Sequence, residues 1–589
     1  MKTNWDYTHL YSGVEAWETD YHNVEQQLVK LEQQINADTL DYNHFIAMIT
    51  TQFQIEETIE RLYCYGKRHV DQDSTDEIMT TLSQRAWSLY AKLLQLKTQL
   101  EAYIIKHRPD MKAWVNRPEV QSYQPYLETI FKQQQHIISK EQQSALEVLT
   151  KQQTSIQRLY RALMEQDIVF GTFVDQNGKT VESNPSNAER YMKSSNQEER
   201  RDAFLANLAG YQQLQHSMAY LYNMKLDQEI ALAHLKQYDS VLEMKLDQEL
   251  LPADIVTKLI ETVLKHLDPL HRYYKIKKRV AGLKQYHHYD KVLPLGVIST
   301  QHYELEEAID IIKQALSVLG SPTLAYIDQA LAEGWVDFFE KPHKRKDSFT
   351  AISYTGVPYV SVNFRHNYQS LKTLCHEFGH MIHTAYAKEH QPFVTFEYSL
   401  FLAEIASKVN ELLLTDYLLQ HSKSNDEAIY ILDQTIQGMI NSLYNQTMMT
   451  EFEINAFQQK QGNKMVTNTV LNETYLSLYQ KYYGDTVICE KALETGWEKI
   501  PHYYLYESFY LWQYATGLAI AGSIVYQLQH SNDFVNEYIA FLSLGKSVSI
   551  TEALKTIHID LTDGHYIEDA LTLLDTLLSQ LESFMAQSS

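Results

Sequence analysis

The pattern of apolar and polar positions along the chain is dominated by the helical period. Apolar residues recur at three- and four-residue intervals through Asn23–Asn36 and Asp76–His107, the spacing that gathers them on one face of an α-helix. Pro109, Pro118 and Pro125 then interrupt the pattern. Helical patterning resumes over Arg200–His271 and predicts further helices at Glu304–Leu319, Leu402–Leu419, Asp426–Phe457 and Thr551–Ala586. Two stretches depart from it. Ile168–Val181 places β-branched and aromatic residues on both sides of Asn177-Gly178, a strong short-range signal for a hairpin. The polar run Glu182–Glu198 follows and suits a boundary near residue 190. Ser348–Phe364 holds two β-rich runs about Gly356-Val357-Pro358. The expected organisation is an N-terminal helical lobe over residues 1–190, ending in the hairpin, and a second domain over residues 191–589.

Just beyond the second β-rich stretch, Ser370–Ala387 reads as a largely apolar helix containing His376-Glu377-Phe378-Gly379-His380. Histidines four apart lie one turn above each other on a helix, so both can bind one metal ion, while Glu377 reaches a water in the open coordination position. Gly379 costs about 1 kcal/mol against alanine in mid-helix, which predicts a close backbone approach there. His383 reads as a packing or orienting residue, and Cys375 as a small buried one. A catalytic zinc needs a third protein ligand. The metzincin pattern would supply it as a histidine at position 386 with glycine at 383, but the chain has Tyr386 and His383. Of the downstream carboxylates Glu389, Glu397, Glu404 and Glu411, the last two share a helix face, and spacing alone does not choose between them.

Composition narrows the setting. A length of 589 residues exceeds what one core usually serves, and 19 Gly with 12 Pro favour helix. The net charge of -23 argues against a nucleic-acid partner, whose phosphates need a basic footprint. Cys64, Cys375 and Cys489 are too few and too scattered for a disulfide framework. The longest apolar run, Ala515–Tyr526, is too short to span a bilayer. The first residues lack the apolar core of a secretory leader. A cytoplasmic protein without a membrane partner is expected, and the sequence leaves its oligomeric state open.

Four ordered blocks carry a resemblance: Pro358-Tyr359 to Asn363-Phe364, LCHEFGHMIH at Leu374–His383, FLAEIASKVNE at Phe401–Glu411, and IPHYYLYESFYLWQYATGLA at Ile500–Ala519. Through them the chain resembles the M3 (thimet-type) zinc oligopeptidases, and within these the oligoendopeptidase F group, over most of residues 190 to 575. The resemblance implies a mainly α, two-lobed helical zincin with a small β element beside the zinc site and a deep substrate channel. It implies one zinc per chain held by His376, His380 and Glu404, with Glu377 as general base and Glu411 orienting a liganding histidine. Five tyrosines, at 503, 504, 506, 510 and 514, fall in the thirteen positions from His502 to Tyr514, where about one is expected by chance. The resemblance favours His502 and two of them as oxyanion donors, with Tyr504 and Tyr510 the best placed. Where the family often has a GKRxG-like string ahead of its strand pair, this chain reads His343-Lys344-Arg345-Lys346-Asp347. The expected activity is hydrolysis of internal bonds in short peptides. The alternatives are a zinc aminopeptidase and a peptide-binding protein without turnover.

Overall fold

The computed structural model describes the whole chain except residues 38, 40, 112, 116, 137, 139–141, 143–153, 297–300, 461–463, 532 and 588–589. Part of the expected N-terminal helical region therefore lies outside the described residues. The architecture is mainly α, as expected. Its first segment shows why: Leu82, Ala86, Leu89, Leu93, Leu96 and Leu100 are all buried on the helix Glu77–Lys106, and their alternating four- and three-residue steps form a stripe that packs on the helix Tyr42–Gln72. Side chains of Asp41 and Asp76 cap these two helices by accepting from the backbone of His44 and Met79. A third helix, Val14–Asn36, closes the group, with Trp17 fully buried and donating to the Leu62 carbonyl at 2.9 Å.

By compactness the chain divides into two units, one of Met1–Gln134, Thr300–Tyr417 and Ile524–His558, the other of Gln135–Ser299, Leu418–Ser523 and Ile559–Ser589. Neither unit follows the division expected at residue 190. The reason is long-range packing that local composition does not report: in the first unit Trp5 donates to the Val360 carbonyl at 2.8 Å, across 355 residues of sequence.

In the second unit, strands β1 (Thr172–Val174) and β2 (Thr180–Glu182) pair antiparallel, with Phe173 opposite Val181 and Gly178 left-handed at φ 77° in the turn. This is the hairpin expected around Asn177-Gly178. In the first unit, β3 (Val336–Asp337), β4 (Phe349–Ala351) and β5 (Tyr359–Ser361) form a sheet in the order β3-β5-β4, so β4 is an edge strand. The loop that departs from the family string is pinned rather than loose. Lys344 is buried and its ammonium donates to the carbonyls of Asp337, Phe339 and Val362 at 3.2, 2.9 and 2.7 Å. One expected helix is split: Thr551–Ala586 is found as Ile550–Lys555 and His565–Gln587, separated by residues that include left-handed His558 and Gly564. No helix among the described residues is long and apolar enough to cross a membrane.

Candidate metal centre

The helix Tyr368–His390 carries the histidine pair. Its start is fixed by a reciprocal cap in which the Asn367 and Ser370 side chains each accept from the other's backbone. Most of its length is buried on every side, so it runs through the core of its unit. The helix Leu400–Gln420 lies directly against it. A Cβ on Gly379 would stand 2.5 Å from the Ser407 Cα and 2.7 Å from the Ala406 carbonyl oxygen. The glycine is thus the contact point of two backbones, which is the reason expected for it. The small residues Ala403, Ala406 and Ser407 complete the approach, and Glu404 is carried toward the histidines.

One donor atom from each of His376, His380 and Glu404 lies within 4.8 Å of the others. The two Nε2 atoms are 3.2 Å apart, and the Glu404 carboxylate is 3.7 Å from His376 Nε2 and 4.0 Å from His380 Nε2. Two nitrogens bound tetrahedrally to one zinc ion stand about 3.3 Å apart, so the pair has the spacing this metal needs. The protonation states also suit a cation. His376 Nδ1 is 2.6 Å from Glu411 Oε1, and a hydrogen donated from Nδ1 leaves the lone pair on Nε2. Burial and the neighbouring His376 ring push His380 down to about 4, leaving it neutral at pH 7. Burial alone would raise Glu411, but the ammonium groups of Lys408 and Lys372, at 2.7 and 3.1 Å, and the His376 ring hold its carboxyl well below the usual range.

Spacing left Glu404 and Glu411 equal, and the structure separates them: Glu404 joins the two Nε2 atoms, whereas Glu411 meets the far side of the His376 ring. Glu397 is engaged by Lys546 at 2.7 Å and Glu389 by the Tyr326 hydroxyl. Glu377 is 5 % exposed and does not join the three-donor group. Burial raises its pKa, and the Thr350 hydroxyl donates to its Oε2 at 2.7 Å. Thr350 lies on edge strand β4 and was missed in the sequence. The β-rich pattern located the strand but said nothing of which side chain would meet Glu377. His383 is a packing residue as expected, its ring stacked on Tyr398 at 3.7 Å, and Cys375 is fully buried.

His502 belongs to the second compact unit. It opens the short helix His502–Leu505, and its ring stacks on Tyr506 at 4.7 Å and on Tyr510 at 6.1 Å, with Tyr514 edge-on at 5.9 Å. Tyr504 does not join this stack. Two residues along a helix is about 200° of rotation, so Tyr504 faces the interior, fully buried and stacked on Tyr160 at 4.5 Å. The loop after this helix is held by Glu453, which accepts from the backbone of left-handed Phe509 at 3.0 Å.

A histidine pair one turn apart, joined by a carboxylate from an adjoining helix, is a donor set for one metal ion. The chain belongs to peptidase family M3, whose model matches residues 190–573. It is similar to oligopeptidase PepF of Bacillus subtilis, with 30% identity over 99% of this chain and 87% of the relative. It is also similar to group B oligopeptidase PepB of Streptococcus agalactiae, with 28% identity over 100% and 98%. The fold matches the crystal structure of oligoendopeptidase-F from Enterococcus faecium, with a TM-score of 0.73 at 24% identity, over 97% of this chain and 99% of that one.

Proposed function

We propose that the protein is a zinc-dependent endopeptidase that hydrolyses internal bonds of short peptides. The observation that carries this is the convergence of His376, His380 and Glu404 on one point, beside a buried glutamate that the edge strand holds through Thr350. His376, His380 and Glu404 hold the zinc. When bound, zinc supplies Lewis acidity toward the scissile carbonyl and lowers the pKa of water at the site. With Oε2 engaged by Thr350, Glu377 accepts the proton of the attacking water at Oε1 and later delivers it to the leaving nitrogen. His502 and Tyr510 donate to the oxyanion as the tetrahedral species forms.

Edge strand β4 offers unpaired main-chain groups to an extended peptide, which would pair with it next to Glu377. A folded domain would have to give up much of its roughly 5 to 15 kcal/mol of stability to adopt that form. A channel that admits short flexible peptides and excludes folded proteins fits this requirement. The names of the relatives, which are oligopeptidases, support the same substrate class. We also propose that residues 191–589 form the catalytic domain after an N-terminal lobe, supported by a family match that begins at residue 190. A cytoplasmic setting is supported by three free cysteines.

The test uses an internally quenched peptide blocked at both ends, the same sequence in a flexible loop of a stable domain, and that domain denatured. The blocked peptide and the denatured domain should be cut, and the folded one should stay intact. Efficient cutting in the folded loop would contradict the short-peptide reading. No cutting of the blocked peptide would favour an aminopeptidase or a binding protein without turnover.

A further inference from the structure

We propose that His302, Glu304 and His366 form a second divalent-metal site, of the imidazole-rich kind that takes zinc, cobalt(II) or nickel(II), separate from the histidine helix pair. One donor atom from each of the three lies within 4.8 Å of the others. The imidazoles of His302 and His366 lie nearly parallel, with 4.9 Å between centroids and 10° between planes. Between them sits the Glu304 carboxylate, with Oε1 3.2 Å from His302 Nε2 and Oε2 3.7 Å from His366 Nδ1.

The His366 ring is oriented by its surroundings in the way a ligand histidine is. Its Nδ1, the atom 3.7 Å from Glu304 Oε2, is also 3.0 Å from the Tyr303 carbonyl; a hydrogen donated there leaves the lone pair on Nε2, the nitrogen that would bind the ion. The Tyr303 amide returns a bond to the His366 carbonyl at 3.0 Å. His366 is held left-handed at φ 57°, a conformation a non-glycine residue keeps only where its neighbours fix it. A histidine and glutamate alone would be a surface ion pair of little worth. Two imidazoles beside one carboxylate instead make a two-nitrogen, one-oxygen donor set that suits borderline metals. With side-chain exposures of 63% for His302, 68% for Glu304 and 33% for His366, the set opens to solvent and leaves positions for water.

The site has a structural consequence. His366 immediately precedes Asn367, the cap of the helix that carries His376 and His380, and Glu304 is the cap position of the helix Leu305–Ala315. A cation held here joins the starts of two helices, and binding to the folded state alone raises thermal stability.

The experiment titrates protein already carrying one zinc equivalent with cobalt(II) against a chromophoric chelator, and follows Tm over the same range. The wild type should take up a second equivalent, with a rise in Tm. His302→Ala and Glu304→Gln, both at exposed side chains, should lose that second equivalent and keep the first. His366→Asn should do the same, since asparagine tolerates the left-handed backbone. His558→Asn, which removes an unrelated surface histidine paired with Glu537 and also tolerates the left-handed backbone there, should leave both equivalents in place. Saturation of the wild type at one equivalent would overturn the proposal, as would survival of the second equivalent in both His302→Ala and His366→Asn.

Discussion

His376, His380 and Glu404 are held by two helices whose backbones touch at Gly379, whereas His502 opens a four-residue helix and continues into a loop that Glu453 holds at Phe509. The first region keeps its charges and pairs them, with Glu411 ionised between Lys408, Lys372 and His376. The second keeps its buried carboxyls neutral, burial pushing Glu453 up to about 8 and Glu498 to about 9. The candidate metal centre thus rests on rigid elements with compensated charge, and the His502 segment on aromatic stacking with uncharged acids near it.

The largest effect that separates the two regions is expected at His502. His502→Ala should lower kcat by about 10²- to 10³-fold, the range seen when one oxyanion donor is removed, with zinc content unchanged. Loss of zinc in this variant would erase the distinction. Gly379→Ala attacks the other region. The obstructing atoms are backbone and cannot yield as a flexible side chain would, so the variant should lose about 3 kcal/mol of stability, the upper end for overpacking, and bind zinc weakly. A normal urea midpoint together with normal zinc affinity would show that the helices are free to part. Glu411→Ala should weaken zinc about 10- to 100-fold, as when a group orienting a ligand histidine is removed. Glu404→Ala should weaken it further, and the reverse ranking in a chelator competition would exchange their roles.

A pH-dependent effect is expected at Glu498, which is fully buried. Folded protein retains its proton up to about pH 9, while an unfolded chain releases it near its ordinary value of about 4.3. Stability from this group is therefore lost as pH rises through that window, by at most about 1.4 kcal/mol per pH unit. Urea midpoints of wild type and Glu498→Gln should diverge between about pH 6 and pH 8, with the variant losing less. Parallel profiles would mean that the carboxyl is ionised in the folded state.

The same contrast explains what the sequence made legible. The histidine pair, Glu377, the need for a reason at Gly379 and the strands about Gly356 follow from spacings of at most a few residues, and a helix converts spacing directly into direction. Glu404 and Glu411 share a helix face, so no local rule could separate them; that needed the neighbouring helix. Thr350 was hidden because a strand pattern gives a face and no partner across space. In the run of five tyrosines composition carried no information on which rings turn inward, so the burial of Tyr504 against Tyr160 was not legible. The division of the chain at residue 190 differed from the compact units for a related reason: contacts such as Trp5 with Val360 join segments that no composition change marks.

If Glu377 acts as a base beside a metal it does not bind, Glu377→Gln separates the two roles. Zinc content by elemental analysis and turnover of the blocked quenched peptide are measured on the same preparation. About one zinc per chain is expected, with turnover reduced by about 10²- to 10⁴-fold, the usual contribution of a general base. Near-normal turnover with zinc retained, or loss of the zinc itself, would contradict it.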